Sequence, residues 1–169
     1  MIREGSLSRI YGEYKVLDET VLELTSYLEE RFGIPVASWE HYKWAQREGT
    51  RAIWVLGKSG FPPVGVNLDT WGITAFRTMP PDGYPTNAFM RAFGHLAQDG
   101  FFELNSSEGL TAYMEGGSTV DGVPPKDRGY CIVRHRGLAL GRGKWTGEEL
   151  ISDLPKAFRT PVKPKQDAG

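Results

Sequence analysis

The apolar positions change period along the chain, and each change marks a different kind of element. Leu17, Val21, Leu24, Leu28 and Phe32 recur at spacings of four, three, four and four. Those spacings lay them on one helical face, with Glu23, Glu29, Glu30 and Arg31 largely outside it. Thr20-Val21-Leu22-Glu23 has capping-box spacing at the start of this helix, and Gly33 before Pro35 ends it. A shorter helix is expected over Ser38 to Arg47, with Trp39 and the pair His41 and Trp44 on adjoining faces. From Arg51 the pattern becomes that of strands, expected at 51–57, 64–68 and 73–77 with Gly- and Pro-bearing loops between them. Tyr14 to Val16, with Ile10 and Tyr11 before them, could form one more short strand. Met79-Pro80-Pro81-Asp82-Gly83-Tyr84-Pro85 is the most loop-like run, and the domain boundary is expected there.

The second part opens with a helix expected from Thr86 to Gln98, burying Phe89, Met90, Phe93 and Leu96 and ended by Gly100. Phe101 to Leu104 reads as a strand. Ser106-Ser107 can cap a brief helix through Met114, which Gly116-Gly117 terminates, and Ser118 to Arg128 reads as a polar loop. Two β-prone runs, Tyr130 to His135 and Leu138 to Leu140, then flank Arg136-Gly137, the composition of a tight hairpin turn. Alternation places Cys131, Val133 and His135 on one face, and Tyr130, Ile132, Arg134 and Arg136 on the other. Beyond the turn, Gly141-Arg142-Gly143-Lys144-Trp145 sets two cations between bare backbone positions that a phosphate chain could approach. Thr146 to Glu149 reads as a turn, Leu154 to Arg159 as a last edge segment, and 161–169 as a disordered tail. The fold class is therefore α+β, with a small N-terminal α+β domain over 1–84 and a second domain over 85–160.

Size and charge narrow the function. At 169 residues the chain can bury a core without staples; one Cys excludes an internal disulfide, and three scattered His make no zinc ligand set. The longest apolar runs are a few residues, far short of a bilayer span, and Met1-Ile2-Arg3-Glu4 lacks the apolar core of a signal peptide. A cytoplasmic protein with no membrane partner is expected. The net charge of −1 argues against a strongly electrostatic binder, yet residues 129–169 hold eight Lys and Arg against four Asp and Glu. The remainder is acidic, and local charge decides phosphate binding. Basic residues on a solvated strand face often only solvate it, so the hairpin alone leaves both meanings open.

Several chemistries find no support. Lys144 is followed by Trp145 rather than Ser or Thr, and Leu138 stands where a nucleotide-phosphate loop needs Gly. His41, His95 and His135 fall in different elements without metal-ligand spacing, Cys131 lies mid-strand on the apolar face, and the pairs Glu29-Glu30 and Glu148-Glu149 are consecutive and diverge. No catalytic residue, metal or cofactor is expected. Trp39, Trp44, Trp54 and Trp71 follow core periodicity, and Tyr130 is assigned to packing.

Gly129 to Val133, Gly137 to Lys144 and Leu154 to Arg159 together resemble the C-terminal RNA-binding module of the Fmu/Sun-type RNA cytosine-5 methyltransferases. That module is similar to the PUA domain, named for pseudouridine synthases and archaeosine transglycosylases. Leu28 to Pro35 is similar to the segment those enzymes place before the module, so the resemblance covers about residues 20–160. Their doubly wound domain, with its Gly-rich S-adenosylmethionine loop and catalytic cysteines, has no counterpart in these motifs. The resemblance implies a non-catalytic RNA-binding protein of the ribosome-biogenesis or RNA-modification type. It also implies a PUA-like mixed β-barrel with flanking helices, of which the hairpin and final segment form one wall. On that surface Arg134, Arg136, Arg142, Lys144, Lys156 and Arg159 would track the phosphates of structured rRNA or tRNA. Gly141 and Gly143 would let backbone amides approach, and Trp145 would stack. An RNA-modifying enzyme or ribosome-assembly protein is a further partner the resemblance implies. The rival reading is a protein-interaction adaptor whose acidic N-terminal domain grips a partner while the second domain is structural. An enzyme using His95 or Cys131 is the third.

Overall fold

The computed structural model describes residues 14–47, 49–59 and 72–162. The strand expected at 64–68, Trp71, and residues 163–169 of the expected tail lie outside the described residues. Two units divide the chain, one of residues 1–89 and 96–99 and the other of 90–95 and 100–169.

In the first unit, strands β1 (Tyr14–Val16), β2 (Tyr42–Arg47), β3 (Ile53–Gly57) and β4 (Ile73–Phe76) form an antiparallel sheet in chain order. Helix α1 (Val21–Phe32) buries Leu24, Thr25, Leu28 and Phe32. Four-and-four spacing puts three of these apolar groups on one stripe, as the periodicity predicts. Gly33 ends the helix at φ 61°, and its N–H reaches back to the carbonyls of Glu29 and Leu28. That left-handed position is the one Gly fills without steric cost. The capping box does not form: Thr20 stands at the N-cap but already has helical backbone angles, and its side chain makes no capping hydrogen bond.

The helix expected over 38–47 is corrected to a 3-10 turn at Val36–Trp39 followed by strand β2. Trp44 and Ala45 are both buried, and β2 pairs with β1 on one side and β3 on the other. Hydrogen bonding to the next strand on one side and to the remote β1 on the other overrides the local pattern. Trp39 packs against Trp44 at 5.3 Å between centroids and stacks on Phe89 at 5.6 Å, the aromatic centre of this unit.

Helix α2 (Asn87–Phe93) is shorter than expected, giving way to a 3-10 turn at Gly94–Leu96. Gly94 is buried, with Ile132 and Ala139 each 2.8 Å from where a Cβ would stand. Only a residue without a side chain lets the backbone come so near strands 129–135 and 138–145.

The second unit is a mixed sheet of six strands: β5 (Phe101–Leu104), β6 (Ser118–Thr119), β7 (Gly122–Val123), β8 (Gly129–His135), β9 (Leu138–Trp145) and β10 (Leu150–Ser152). Their order is β6-β10-β9-β8-β5-β7, parallel only between β5 and β8. The two edge strands are separated in sequence by only Val120 and Asp121, so the sheet curls until its ends nearly meet, a barrel-like closure that leaves little open edge. Ser118 to Arg128 is thus no plain loop; it contributes both edge strands. Helix α3 (Ser107–Met114) starts as expected at Ser106, whose side chain accepts from the Gly109 N–H. Phe102, Leu104, Tyr113, Cys131, Val133, Leu150 and Leu154 form the core. The expected last edge segment at 154–159 is replaced by β10, four residues earlier, and a 3-10 turn at Lys156–Phe158.

Candidate nucleic-acid interface

The hairpin β8–β9 turns on Arg136 and Gly137, at φ 51° and 78°. Two positive φ values in a two-residue loop match the twist of the strands on either side. Register pairs Cys131 with Gly143 and Val133 with Gly141, and all four are buried toward the core. The Gly-rich run is therefore not an open approach for phosphate, as its composition implies, but the middle of a strand with a neighbour on each side. A Cβ on Gly143 would stand 2.7 Å from Leu150 and 2.8 Å from Val133. Trp145 follows the same parity and packs on Phe102 with ring centroids 5.5 Å apart.

The opposite side of these strands carries the charge. Register aligns Tyr130, Lys144, Ile151 and Ser118 in one row across β8, β9, β10 and β6. In the next row Phe101, Ile132 and Arg142 are aligned, and the Asp153 N–H donates to the Arg142 carbonyl at 3.1 Å. Glu103 and Arg134 follow in the third. Cross-strand neighbours at this spacing touch. The Arg142 guanidinium carbon lies 4.8 Å from the Tyr130 ring centroid, and Arg142 Nε donates to Asp153 Oδ2 at 2.6 Å. The Arg134 guanidinium carbon is 3.4 Å from the Phe101 ring, and its Nε donates to Glu103 Oε2 at 3.1 Å. The second Glu103 oxygen accepts from the Gly137 N–H.

The other cations are placed more openly or more rigidly. Lys144, Arg136 and Lys156 are exposed. Arg159 is half-buried, its Nε donating to the Leu154 carbonyl at 2.8 Å and its side chain crossing Gly116, where a Cβ would stand only 2.6 Å away. Behind the row, the fully buried Tyr113 hydroxyl donates to the Arg142 carbonyl at 3.0 Å. Burial pushes this phenol well above the ordinary tyrosine range, as do the nearby Cys131 and Asp153, while Arg91 and Arg142 pull it back.

Tyr130, assigned to packing from sequence, stands beside Lys144 and Arg142 on the charged side; alternation with Arg134 was the signal for it. Ile151 and Asp153 carried no such signal, because their place depends on β10. Cys131 is fully buried with its thiol directed to the Gly143 carbonyl, and His135 Nδ1 lies 2.9 Å from the Leu104 carbonyl. No group of three or more His, Cys, Asp or Glu that could hold a metal occurs among the described residues. Nor is any helix among them long and apolar enough to cross a membrane.

A sheet face that offers a ring, a fixed guanidinium and an exposed ammonium can meet a phosphate and a sugar at once. Residues 102–160 match the family model described as the methyltransferase RsmF PUA domain. They form a PUA-like domain. Ribosomal RNA small subunit methyltransferase F of Aeromonas salmonicida (strain A449) is 30% identical over 102 residues, 60% of this chain and 20% of that protein. The chain thus spans about one fifth of the length of the curated relative it matches. The matched residues include the whole β8–β9 hairpin with Arg142 and the Lys156–Phe158 turn. The mixed α+β character and barrel-like sheet are those implied by the resemblance of the hairpin; the sheet has six strands.

Proposed function

We propose that this protein is a non-catalytic, cytoplasmic RNA-binding protein that recognises structured rRNA or tRNA through the basic face of its PUA-like domain. It acts in ribosome biogenesis or RNA modification. Residues 85–160 are its RNA-binding domain, and residues 1–84 its N-terminal domain, with an RNA-modifying enzyme or ribosome-assembly protein as a further partner. The observation that carries this reading is the row Tyr130–Lys144–Ile151 with Arg142 beside it, on the side of the sheet away from the core. Helical RNA hides its base edges, so a rigid arrangement of cations matched to phosphate and sugar positions is what recognition of its shape requires. Lys144, Arg142, Arg136, Lys156 and Arg159 contact phosphates, while Arg134, Gly141, Gly143 and Trp145 keep the frame that positions them.

Fluorescence anisotropy with a labelled RNA hairpin tests the surface. Affinity should fall steeply with salt. Replacing both Arg142 and Lys144 by Ala should weaken binding by roughly tenfold or more and reduce the salt slope by about 1.5, the release expected for two phosphates. Binding that ignores salt, or that survives the double change intact, overturns the surface.

A further inference from the structure

We infer that Phe158, with Arg91 over its ring, is a stacking platform for an unpaired base adjoining the structured RNA; the inference rests on the reading of the PUA-like domain given above. Phe158 ends the 3-10 turn at Lys156–Phe158 and is 53% exposed. One exposed ring needs no explanation by itself. Here three further observations converge on it.

The ring is held on a fixed backbone. The Phe158 N–H donates to the Pro155 carbonyl at 2.9 Å and the Arg159 N–H to the Lys156 carbonyl at 3.2 Å. Leu154 is buried in the core on one side of the turn, and the Thr160 N–H donates to the Met114 carbonyl at 2.8 Å on the other. A platform held at both ends loses little conformational freedom when a ligand arrives.

The ring also has a cationic companion. The Arg91 guanidinium carbon lies 5.1 Å from the Phe158 centroid. Aromatic rings and guanidinium planes are the two kinds of surface on which proteins stack unpaired bases, and a cation beside the ring attracts the phosphate that accompanies the base.

Finally, the surroundings suit a polyanion and adjoin the proposed surface. Lys156 is exposed at the start of the same turn, and residues 154–162 contain no Asp or Glu. The Asp153 N–H donates to the Arg142 carbonyl at 3.1 Å, and the turn that carries Phe158 begins three residues later, so the platform adjoins the Arg142 row along the chain. An RNA helix on that row would bring its unpaired flank toward Phe158.

The test compares the full chain binding two RNA probes, a blunt hairpin and the same hairpin with an unpaired 3′ extension containing 2-aminopurine. Wild-type protein should bind the extended probe about five- to tenfold tighter, and the 2-aminopurine emission should be quenched on binding. Phe158→Leu, which keeps an apolar side chain, should remove the extra affinity and the quenching while leaving blunt-hairpin binding and the melting temperature unchanged. Phe158→Trp should restore both. If the extension adds nothing, or Phe158→Leu keeps the full increment and quench, the platform is overturned, and the Arg142 and Lys144 substitutions still report on the surface independently. If Phe158→Leu weakens both probes equally and lowers the melting temperature, the ring is structural and the inference fails. Failure of wild-type protein to bind either probe overturns both readings.

Discussion

The two ends of the β8–β9 hairpin carry the same trio of side chains, an arginine, an aromatic ring and a carboxylate, in two different states. Near the turn, Arg134 lies 3.4 Å from the Phe101 ring centroid and bonds Glu103, whose other oxygen holds the Gly137 N–H. That trio joins β5, β8 and the turn, and its arginine side chain is only 15% exposed. Toward the base, Arg142 stands 4.8 Å from Tyr130, Asp153 is 39% exposed, and Lys144 projects from the neighbouring row. The first trio is a clasp, each of its groups engaged by the others. In the second, Asp153 is the more exposed partner of the pair, and under the proposed function a phosphate would compete with it for Arg142. A count of cations on a sheet face therefore overstates what it can offer a polyanion; the acids standing beside them decide.

The contrast breaks most visibly at high pH. Tyr113 supports the Arg142 end, and its folded-state pKa is raised above the ordinary value of 10.0. The unfolded chain releases this proton first, so the stability associated with the neutral phenol is complete below pH 10 and is lost progressively above it. Between about pH 10 and 12, wild-type protein should lose about 1.4 kcal/mol more per pH unit than Tyr113→Phe. Chemical denaturation across that range measures it, and parallel curves for the two proteins would show that this phenol does not control the alkaline limb.

Next in size is the difference between the two arginines. Arg134→Ala should cost about 1–2 kcal/mol of stability, since it removes a close cation–π contact and leaves Glu103 only the Gly137 N–H. Its effect on RNA affinity should be small. Arg142→Ala should do the reverse, with a melting curve near that of wild type and weaker binding. Measuring both quantities on both variants separates clasp from contact, and equal losses on both would erase the distinction.

The smallest effect sharpens the role of Asp153. Asp153→Asn removes the competing charge while keeping the side chain's size, so RNA affinity should rise by about two- to fivefold at low salt, with the gain shrinking as salt is added. Weaker binding would mean that the carboxylate positions Arg142 for RNA rather than competing with it.

Legibility from sequence followed the range of the forces involved. Helix α1 and the hairpin were readable because their signals are local: the Leu24–Leu28–Phe32 stripe, the Gly33 stop, and Gly137 between β-prone runs. Strand β2 was read as helix because Trp39, His41 and Trp44 fit a helical face about as well as a strand. What decides is pairing with Ile53–Gly57, the next strand, and with Tyr14–Val16, which lies on the far side of helix α1 in the sequence. The two-residue strands β6 and β7 have no pattern long enough to read. In the candidate site, alternation correctly put Arg134 and Tyr130 on one side of β8. It could not reveal Glu103 beside Arg134, 31 residues away, or Asp153 beside Arg142. The bare backbone at Gly143 suggests room for a phosphate chain, whereas the position is kept bare by Leu150 and Val133 against it.

By itself the chain's order of residues determined the α+β class, the hairpin, its core-facing side and the concentration of positive charge in the last third. These follow from periodicity, turn chemistry and composition, which act between near neighbours. Tertiary structure alone decided which arginine became a clasp, which acid met each cation, and that Phe158 and Arg91 came together. Those pairings join positions from 11 to 31 residues apart and, for Arg91 and Phe158, farther still, and a contact of that kind has no energy until the sheet has closed around it.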